Sequence, residues 1–208
     1  MIVIIDSGIG NIRSVANALE YLKAKHTITS NPKDLKEADK IIFPGVGSFA
    51  DGMKAIHSTG LIDILKDEVL KNGKPYLGIC LGMQLLAESG EEDGKHTGLG
   101  WIPGVVRQID VKNTDVKLPH IGWNTVQPKP KSVLFKDLGE NPTFYFVHSY
   151  IFTPKDSSII ESTCEYREVF AASIRYKNIF GVQFHPEKSQ MNGLNLIKNF
   201  VTISQLPN

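Results

Sequence analysis

Cys80 stands where residue types and spacing favour a nucleophile. Gly78 precedes it by two residues and Gly82 follows it by two. The apolar run 76–79 is typical of a strand, and the apolar positions after the cysteine recur at helical spacing. A cysteine between two glycines at such a junction is typical of a nucleophile elbow, which holds the thiol at a helix N-terminus, where the thiolate is favoured. The alternative interpretation is a buried cysteine at the end of a core strand.

His185 and Glu187 could supply the base that such a thiol needs. They stand two residues apart, so in extended backbone their side chains lie on one side of the chain. Pro186 between them biases the backbone of His185 towards extended geometry. A carboxylate beside a histidine sets the tautomer that accepts a proton from cysteine. Taken alone, this motif is more often a turn with a solvated acid, so only its combination with Cys80 indicates catalysis.

Two glycine-containing loops follow predicted strands in the first half of the chain. Residues 44–49 hold Gly45 and Gly47, whose bare peptides could aim backbone N–H groups at an oxyanion, although an ordinary loop has the same pattern. The turn at 8–11 also holds two glycines, but it lacks the third glycine and the lysine of a phosphate-binding loop. This turn is interpreted as a tight strand-to-helix connection, with a phosphate loop as the alternative.

The hydrophobic pattern predicts the elements that must position these groups. In the first half strands and helices alternate, with strands expected at 2–5, 26–29, 40–43 and 76–79. Helices are expected at 12–22, 34–38, 61–70 and 81–89. The second half is rich in strands, expected within 99–116 and at 144–150, 159–164, 170–176 and 179–184, before a closing helix at 194–201. This order predicts an α/β fold with a mostly parallel central sheet, flanked by helices and extended by antiparallel strands.

Such a sheet would bring the chemistry-bearing residues together. Ligand sites of parallel sheets lie at the carboxyl ends of the strands. Cys80 and the loop 44–48 both follow strands expected near the centre of the sheet. We therefore expect them to face one crevice.

Composition and charge limit the classes of function. The chain has 208 residues, which suits one domain over residues 1–208, and 41% of them are hydrophobic. A net charge of +1 indicates no strong field for nucleic acid or a membrane surface. Cys80 and Cys164 are too far apart in sequence for a metal or redox motif, and no apolar run is long enough to cross a membrane. We expect a cytoplasmic protein with a free thiol, no metal and no cofactor.

Five stretches together resemble the class I (triad) glutamine amidotransferases, and within that class they are similar to the glutaminase subunits of imidazole glycerol phosphate synthases. The stretches are 44–47, 78–84, 118–124, 145–150 and 185–189. The resemblance runs nearly the full chain. It implies a single-domain, flavodoxin-like glutamine amidotransferase fold.

The resemblance also implies a role for each catalytic candidate. Cys80 would attack the side-chain amide carbon of L-glutamine and form a glutamyl thioester that water hydrolyses. His185 would take the thiol proton and later protonate the departing ammonia, and Glu187 would orient His185. Backbone N–H groups of Leu81 and of the Gly45–Val46 region would hold the oxyanion, the latter after a peptide flip that couples catalysis to a partner.

Four further residues resemble the positions that bind glutamine in this family, namely Gly47, Gln84, Glu92 and Ser149. Gln84 lies one helical turn after Cys80, within reach of the site. The alternative for Gln84 is an ordinary polar helix residue. Glu92 stands in a loop whose length varies in the family, so its assignment depends most on the resemblance.

The family further implies a partner. Ammonia released to bulk water would be protonated and lost, so a synthase that uses it must dock over the site. The implied partner is a (β/α)₈ cyclase subunit, in a heterodimer that makes imidazole glycerol phosphate and AICAR in histidine biosynthesis. The interface candidates are His120, Trp123, Tyr145 and Lys188. For Trp123 the alternative is core packing.

Two departures from the family pattern leave the client of the ammonia open. Residues 6–8 read Asp-Ser-Gly in place of Asp-Tyr-Gly, and Ile151 stands where an arginine is common. One alternative is a paralogous ammonia donor for amidination of surface sugars. Another is a stand-alone cysteine hydrolase such as a γ-glutamyl hydrolase, and a third is an α/β binding module without catalysis.

Overall fold

A nine-stranded mixed sheet runs through the computed structural model, which describes residues 1–112 and 115–204. Its strand order is β2-β1-β3-β4-β13-β12-β11-β8-β9. The first five of these strands are parallel: β2 (His26–Thr29), β1 (Ile2–Ile5), β3 (Lys40–Gly45), β4 (Tyr76–Cys80) and β13 (Ile179–Val182). The other four continue the sheet antiparallel: β12 (Glu168–Tyr176), β11 (Ile160–Tyr166), β8 (His120–Pro128) and β9 (Thr143–His148).

Six α-helices accompany the sheet in the described part of the chain. They are α1 (Ile12–Tyr21), α2 (Pro32–Glu37), α3 (Phe49–Ser58), α4 (Ile62–Lys66), α5 (Leu81–Gln84) and α6 (Gln190–Thr202). The helix α4 continues into a π-helical turn over Asp67–Lys71. Short 3₁₀ turns cover Ser157–Ile159 and Pro186–Lys188. No helix within 1–112 or 115–204 is long and apolar enough to cross a membrane.

A second, four-stranded sheet packs beside the first. Its order is β10-β7-β5-β6, from β10 (Tyr150–Pro154), β7 (Gly104–Gln108), β5 (Ser89–Gly90) and β6 (His96–Thr97). The chain passes from β9 in the large sheet to β10 in the small one at Ser149. This crossing brings the segment 147–150 to the region where the two sheets meet.

Both faces of the sheet are buried at its centre, along β1, β3, β4 and β13. Along β1, Ile2 and Ile4 pack into one apolar cluster, whereas Val3 and Ile5 pack into the other. Side chains alternate across a strand, so one continuous apolar run serves both clusters. The sheet therefore holds its loops rigidly at the carboxyl edge, where β3 and β4 end.

The predicted fold class is confirmed, and the differences lie in individual elements. The helix α3 is absent from the sequence-based predictions, although Ser48 accepts a hydrogen bond from Asp51 N at its start, as an N-cap does. The predicted helix 81–89 ends at Gln84, and the predicted strand 144–150 is two strands in different sheets. The β region expected within 99–116 contains β7, and positions 113–114 lie outside the described residues.

Candidate active site

Cys80 sits on a strained turn between β4 and α5. Its φ is +53°, a left-handed conformation that is costly for a residue with a side chain. A Cβ on Gly78 would lie 2.4 Å from the carbonyl oxygen of Gly82, and a Cβ on Gly82 would lie 1.9 Å from that of Phe43. Both glycines are therefore required by close backbone approach. The arrangement has the geometry of a nucleophile elbow.

The loop after β3 lies against this elbow. Gly45 pairs with Cys80 across the two strands, and a Cβ on Gly45 would lie 3.0 Å from that of Leu81. The next residues are open, since Val46 is 40% exposed and Gly47 has φ +107° with free space around it. The peptides of Gly45 and Leu81 are thus neighbours beside the thiol.

The turn at 8–11 packs beside the same loop. Gly10 has φ +133°, and a Cβ there would lie 2.8 Å from the carbonyl oxygen of Pro44. The close approach of the loop after β3 therefore explains Gly10 as part of a tight strand-to-helix connection. No phosphate-binding role is needed to explain it.

His185 and Glu187 form a buried pair. Nδ1 of His185 lies 2.8 Å from Oε1 of Glu187, and their side chains are 2% and 0% exposed. The backbone N–H of His185 donates to the carbonyl oxygen of Tyr145 at 2.9 Å. Asn11 Nδ2 donates to the same Oε1 of Glu187 at 3.3 Å. The ring is therefore oriented with Nδ1 towards the carboxylate.

The electrostatics favour a charged His185. Burial opposes the imidazolium, but interactions with Cys80 and Glu187 outweigh it and raise the pKa of His185 to about 10. Within the described residues Nε2 of His185 makes no hydrogen bond. This nitrogen is the ring atom left for proton exchange with the thiol.

One pocket of about 240 Å³ collects most of the predicted site residues. Its lining is Val46, Gly47, Cys80, Leu81, Gln84, Glu92, Pro119, Val147, His148, Ser149, Tyr150 and His185. A larger surface groove of about 570 Å³ lies along 128–140, but no cysteine or histidine lines it. The predicted nucleophile, Cys80, therefore lies in the smaller of these two cavities.

Gln84 and Glu92 reach the pocket by different means. Gln84 is buried, and its Nε2 donates to the carbonyl oxygen of Tyr150 at 2.9 Å and to Oε1 of Gln183 at 3.0 Å. Both amide hydrogens are used within the protein, so only the acceptor Oε1 remains for a ligand. Glu92 accepts a 2.7 Å hydrogen bond from the backbone N–H of Phe49, the first residue of α3. That bond fixes a carboxylate in the pocket wall.

Three of the four interface candidates form one surface. Trp123 is 48% exposed and makes an edge contact with Tyr145 at 6.2 Å between ring centroids. Lys188 Nζ lies 5.8 Å from the ring centroid of Tyr145. We call these three residues the aromatic–lysine surface. Its exposure removes core packing as the explanation of Trp123.

His120, the fourth interface candidate, does not belong to this exposed surface, and its place at an interface stays a prediction. His120 is 3% exposed and stacks on Tyr166 and Phe146 at 4.0 and 4.8 Å. Side chains alternate along β8, so His120 points into the core while Ile121 and Trp123 point outward.

Two polar residues near the nucleophile are absent from the sequence-based predictions. Asn11 contacts Glu187, and Gln183 Nε2 lies 3.5 Å from Cys80 Sγ. Gln183 is fully buried. A polar residue within the apolar run before His185 could have indicated a buried polar contact, because buried amides are usually hydrogen-bonded. Asn11 carries no such signal, because its partner is 176 residues away.

Over the described ranges no group of three His, Cys, Asp or Glu residues is placed to hold a metal ion.

The chain belongs to the class I glutamine amidotransferases. The model of that family, described as glutamine amidotransferase class-I, matches residues 3–203. The structure of PurLQS from Thermotoga maritima aligns with a TM-score of 0.73 at 18% identity, over 96% of both chains, which supports the fold.

Within this family, the chain is similar over nearly its whole length to imidazole glycerol phosphate synthases or their HisH subunits. The chain is 43% identical over 203 residues to imidazole glycerol phosphate synthase subunit HisH 2 of Pseudomonas aeruginosa, covering 98% of this chain and 100% of that one. It is 42% identical over 205 residues to the HisH subunit of Leptospira borgpetersenii, with the same coverage. It is also 44% identical over 203 residues to imidazole glycerol phosphate synthase hisHF, chloroplastic, of Arabidopsis thaliana, covering 97% of this chain and 34% of that protein.

Proposed function

We propose that this chain is the glutaminase subunit of an imidazole glycerol phosphate synthase. It hydrolyses L-glutamine to glutamate and ammonia and passes the ammonia to a (β/α)₈ cyclase subunit. The observation that carries the proposal is a cysteine on a strained elbow, in one pocket with a histidine whose Nδ1 is held by Glu187. The similarity to HisH subunits over nearly the whole chain supports the choice of synthase.

The reaction uses Cys80 and His185 as a proton-exchanging pair. Because the pKa of His185 is about 10, Nε2 already carries the proton when substrate binds, and the Cys80 thiolate adds through Sγ to the amide carbon of the glutamine side chain. The tetrahedral adduct collapses as its C–N bond breaks, and ammonia leaves with the proton from Nε2. Water then adds to the thioester with the neutral His185 as base, glutamate departs, and the thiolate and the imidazolium are restored. The carboxylate of Glu187 stabilises the imidazolium in both steps.

The oxyanion of each tetrahedral adduct lies between two backbone donors. Leu81 is the first residue of α5, and the N–H groups of a first helical turn have no partner within the helix. The Gly45–Val46 peptide is the second donor. Its neighbour Gly47 has φ +107° with free space around it, which suits a peptide that must turn to present its N–H.

Recognition of glutamine falls to the pocket wall. The fixed carboxylate of Glu92 and the free Oε1 of Gln84 suit the α-ammonium group. Ser149 and Gly47 border the same pocket and offer a hydroxyl and a bare peptide. Specificity for an amino acid follows from placing acceptors opposite a cation in a small, partly buried site.

The partner docks on the aromatic–lysine surface. Trp123 pairs with Tyr145 in the β8–β9 ladder, and the Tyr145 carbonyl accepts from His185 N. A partner that binds Trp123 and Tyr145 therefore contacts a residue, Tyr145, that is hydrogen-bonded to the backbone of His185. The hisHF relative, of which this chain matches about a third, supports a closely associated second catalytic unit. We place the complex in the cytoplasm.

The proposal is tested by assaying glutamine hydrolysis with the chain alone and with a (β/α)₈ cyclase from the same genome. The expected result is low activity alone and a strong increase with the cyclase and its phosphoribosyl substrate. Full activity of the chain alone would reject the subunit role in favour of a stand-alone hydrolase. Hydrolysis without response to that cyclase would point to a donor for sugar amidination.

A further inference from the structure

Gln183 is a buried polar residue that the proposed mechanism does not use. It follows β13, is 0% exposed, and stands two residues before His185. Its Nε2 lies 3.5 Å from Cys80 Sγ, and its Oε1 lies 3.0 Å from Gln84 Nε2. A buried amide keeps its place only when its groups are paired, so these two contacts account for its position.

The orientation of the Gln183 amide follows from the carbonyl oxygen of Tyr150, which can only accept a hydrogen bond. The carbonyl oxygen of Tyr150 lies 2.9 Å from the Gln84 amide, so the end of Gln84 that faces it must be the NH₂ group. The second hydrogen of that NH₂ points to Gln183, which must therefore present Oε1. Nε2 of Gln183 is left on the side of the Cys80 sulfur as a donor.

A pair of neutral histidines holds the Tyr150 carbonyl from the other side. His148 Nδ1 donates to it at 3.0 Å, which leaves His148 Nε2 as an acceptor for His120 Nδ1 at 3.1 Å. His120 Nε2 then accepts from Asn124 Nδ2 at 3.3 Å. Burial lowers the pKa of His120 to about 4 and that of His148 to about 3, so both rings stay neutral and keep these roles at neutral pH.

We propose that Gln183 is a further catalytic residue of this site, which donates a hydrogen bond from Nε2 to the Cys80 sulfur and stabilises the thiolate. Gln84 is a positioning residue that fixes the Gln183 amide. A charge-assisted hydrogen bond in a buried site is stronger than its neutral counterpart, so the donor favours the anion over the thiol. The inference rests on Cys80 being the nucleophile of the proposed glutaminase.

The test is the pH dependence of Cys80 alkylation by iodoacetamide, followed by mass spectrometry of the peptide that contains Cys80. The variant Gln183→Met keeps a side chain of similar length and removes the donor. Its alkylation midpoint should rise by about one pH unit, and its rate below that midpoint should fall about tenfold. The other titratable groups lining the pocket are His148, Tyr150, Glu92 and His185, and they are unchanged in this variant.

Ser173→Ala is the matched control. Ser173 is equally buried on β12, and its hydroxyl bonds to Ser162 at 2.6 Å, outside the network around Cys80. This variant should keep the wild-type midpoint. A wild-type midpoint in folded Gln183→Met protein would overturn the inference, as would an equal shift in the serine variant.

A measurement on the wild-type chain covers the case in which Gln183→Met does not fold. With ¹⁵N in the glutamine side chains, the Gln183 amide signals should shift with pH at the midpoint found for Cys80 alkylation. Amide signals that stay constant through that midpoint would reject the contact with the thiolate.

Iodoacetamide needs no glutaminase activity, so the two proposals fail separately. A shifted midpoint in a chain that hydrolyses no glutamine even with the cyclase and its phosphoribosyl substrate would reject the proposed function and support the hydrogen bond to the sulfur.

Discussion

The predicted nucleophile, Cys80, and its predicted base, His185, are held in place by two different kinds of contact. Cys80 is placed by its immediate neighbours, since Gly78 and Gly82 approach each other across the elbow and one strand, β3, completes the contact. His185 and Glu187 are placed by distant residues, because Tyr145 holds the backbone of the histidine and Asn11 contacts the carboxylate. The elbow is a local device, whereas the base depends on the assembled sheet.

This difference implies that the Cys80 elbow and the segment that carries His185 differ in how readily they can shift. An elbow fixed by backbone contacts cannot move without breaking the packing of β4 on α5. The segment 185–189 is instead held to β9 by hydrogen bonds. The backbone N–H of Tyr145 donates to Ser189 Oγ, and Ser189 Oγ donates to the carbonyl oxygen of His185. If a partner docks on β8 and β9 as proposed, it contacts the strands that hold His185 and does not contact the elbow of Cys80.

Removing the nucleophile gives the largest expected effect. Cys80→Ala should lower glutamine hydrolysis by about a millionfold, or below detection, because no other group can form the thioester. Synthesis from added ammonium by the complex should persist, since the partner's chemistry is untouched. Both rates are measured in the reconstituted complex, and loss of the ammonium-dependent rate would show that Cys80 also supports the assembly.

Removing the charge behind the base gives the next largest effect. Glu187→Gln should lower kcat by about 10²- to 10⁴-fold, because the imidazolium loses its anion and its tautomer is no longer enforced. The pKa of His185, about 10 in the native site, should fall towards the ordinary 6.5, since an anionic partner favours the protonated ring.

The pKa of His185 is followed by NMR titration of the ring, and kcat by steady-state assay in the complex. Asp156→Asn, at an exposed acid that caps the turn Ser157–Ile159, is the control for loss of a carboxylate elsewhere. An unchanged His185 titration would refute the electrostatic role of Glu187.

Filling the elbow should cost stability as well as activity. Gly82→Ala places a methyl group 1.9 Å from the Phe43 carbonyl oxygen, so we expect about 3 kcal/mol of destabilisation. Gly60→Ala is the control, since Gly60 has φ +68° but free space, and it should cost about 1 kcal/mol. Denaturant unfolding of both variants measures the difference, and equal costs would mean that backbone approach does not hold the elbow.

Truncating the surface aromatic should have the smallest effect of the four. Trp123→Ala should weaken cyclase binding by about 2 kcal/mol, close to thirtyfold in Kd, if the ring is an interface anchor. Ile28→Ala is matched, because Ile28 is 38% exposed on β2, at the opposite edge of the sheet. Calorimetric titration compares the two variants, and the same affinity in both would remove Trp123 from the interface.

Much of the fold could be read from local patterns. The continuous apolar runs of β1, β3 and β4 identify strands buried on both faces, and the glycine pair identifies the elbow. The helix α3 was missed because its signals, an N-cap serine and apolar residues at helical spacing, follow directly on a glycine loop. The division of 144–150 between two sheets was missed because both halves share the same extended pattern.

The candidate site divides in the same way. Cys80, His185 and Glu187 could be named from residue type and spacing, and their roles stay predictions. The contact of Gln183 with Cys80 and the burial of His120 could not be predicted in this way, because each depends on which strands become neighbours. The orientation of an amide or an imidazole depends on partners that lie many residues away.

Residue types and spacing were enough to predict the local geometry, namely the alternation of strands and helices, the elbow and the extended His185 segment. These follow from side-chain periodicity and from the few conformations open to glycine and proline. The folded chain was needed to show that Asn11 lies against Glu187, that Gln183 contacts the thiol, and that Trp123 is exposed while His120 is buried. Those facts depend on long-range packing, which pairs groups by distance in space and leaves no mark in short-range spacing.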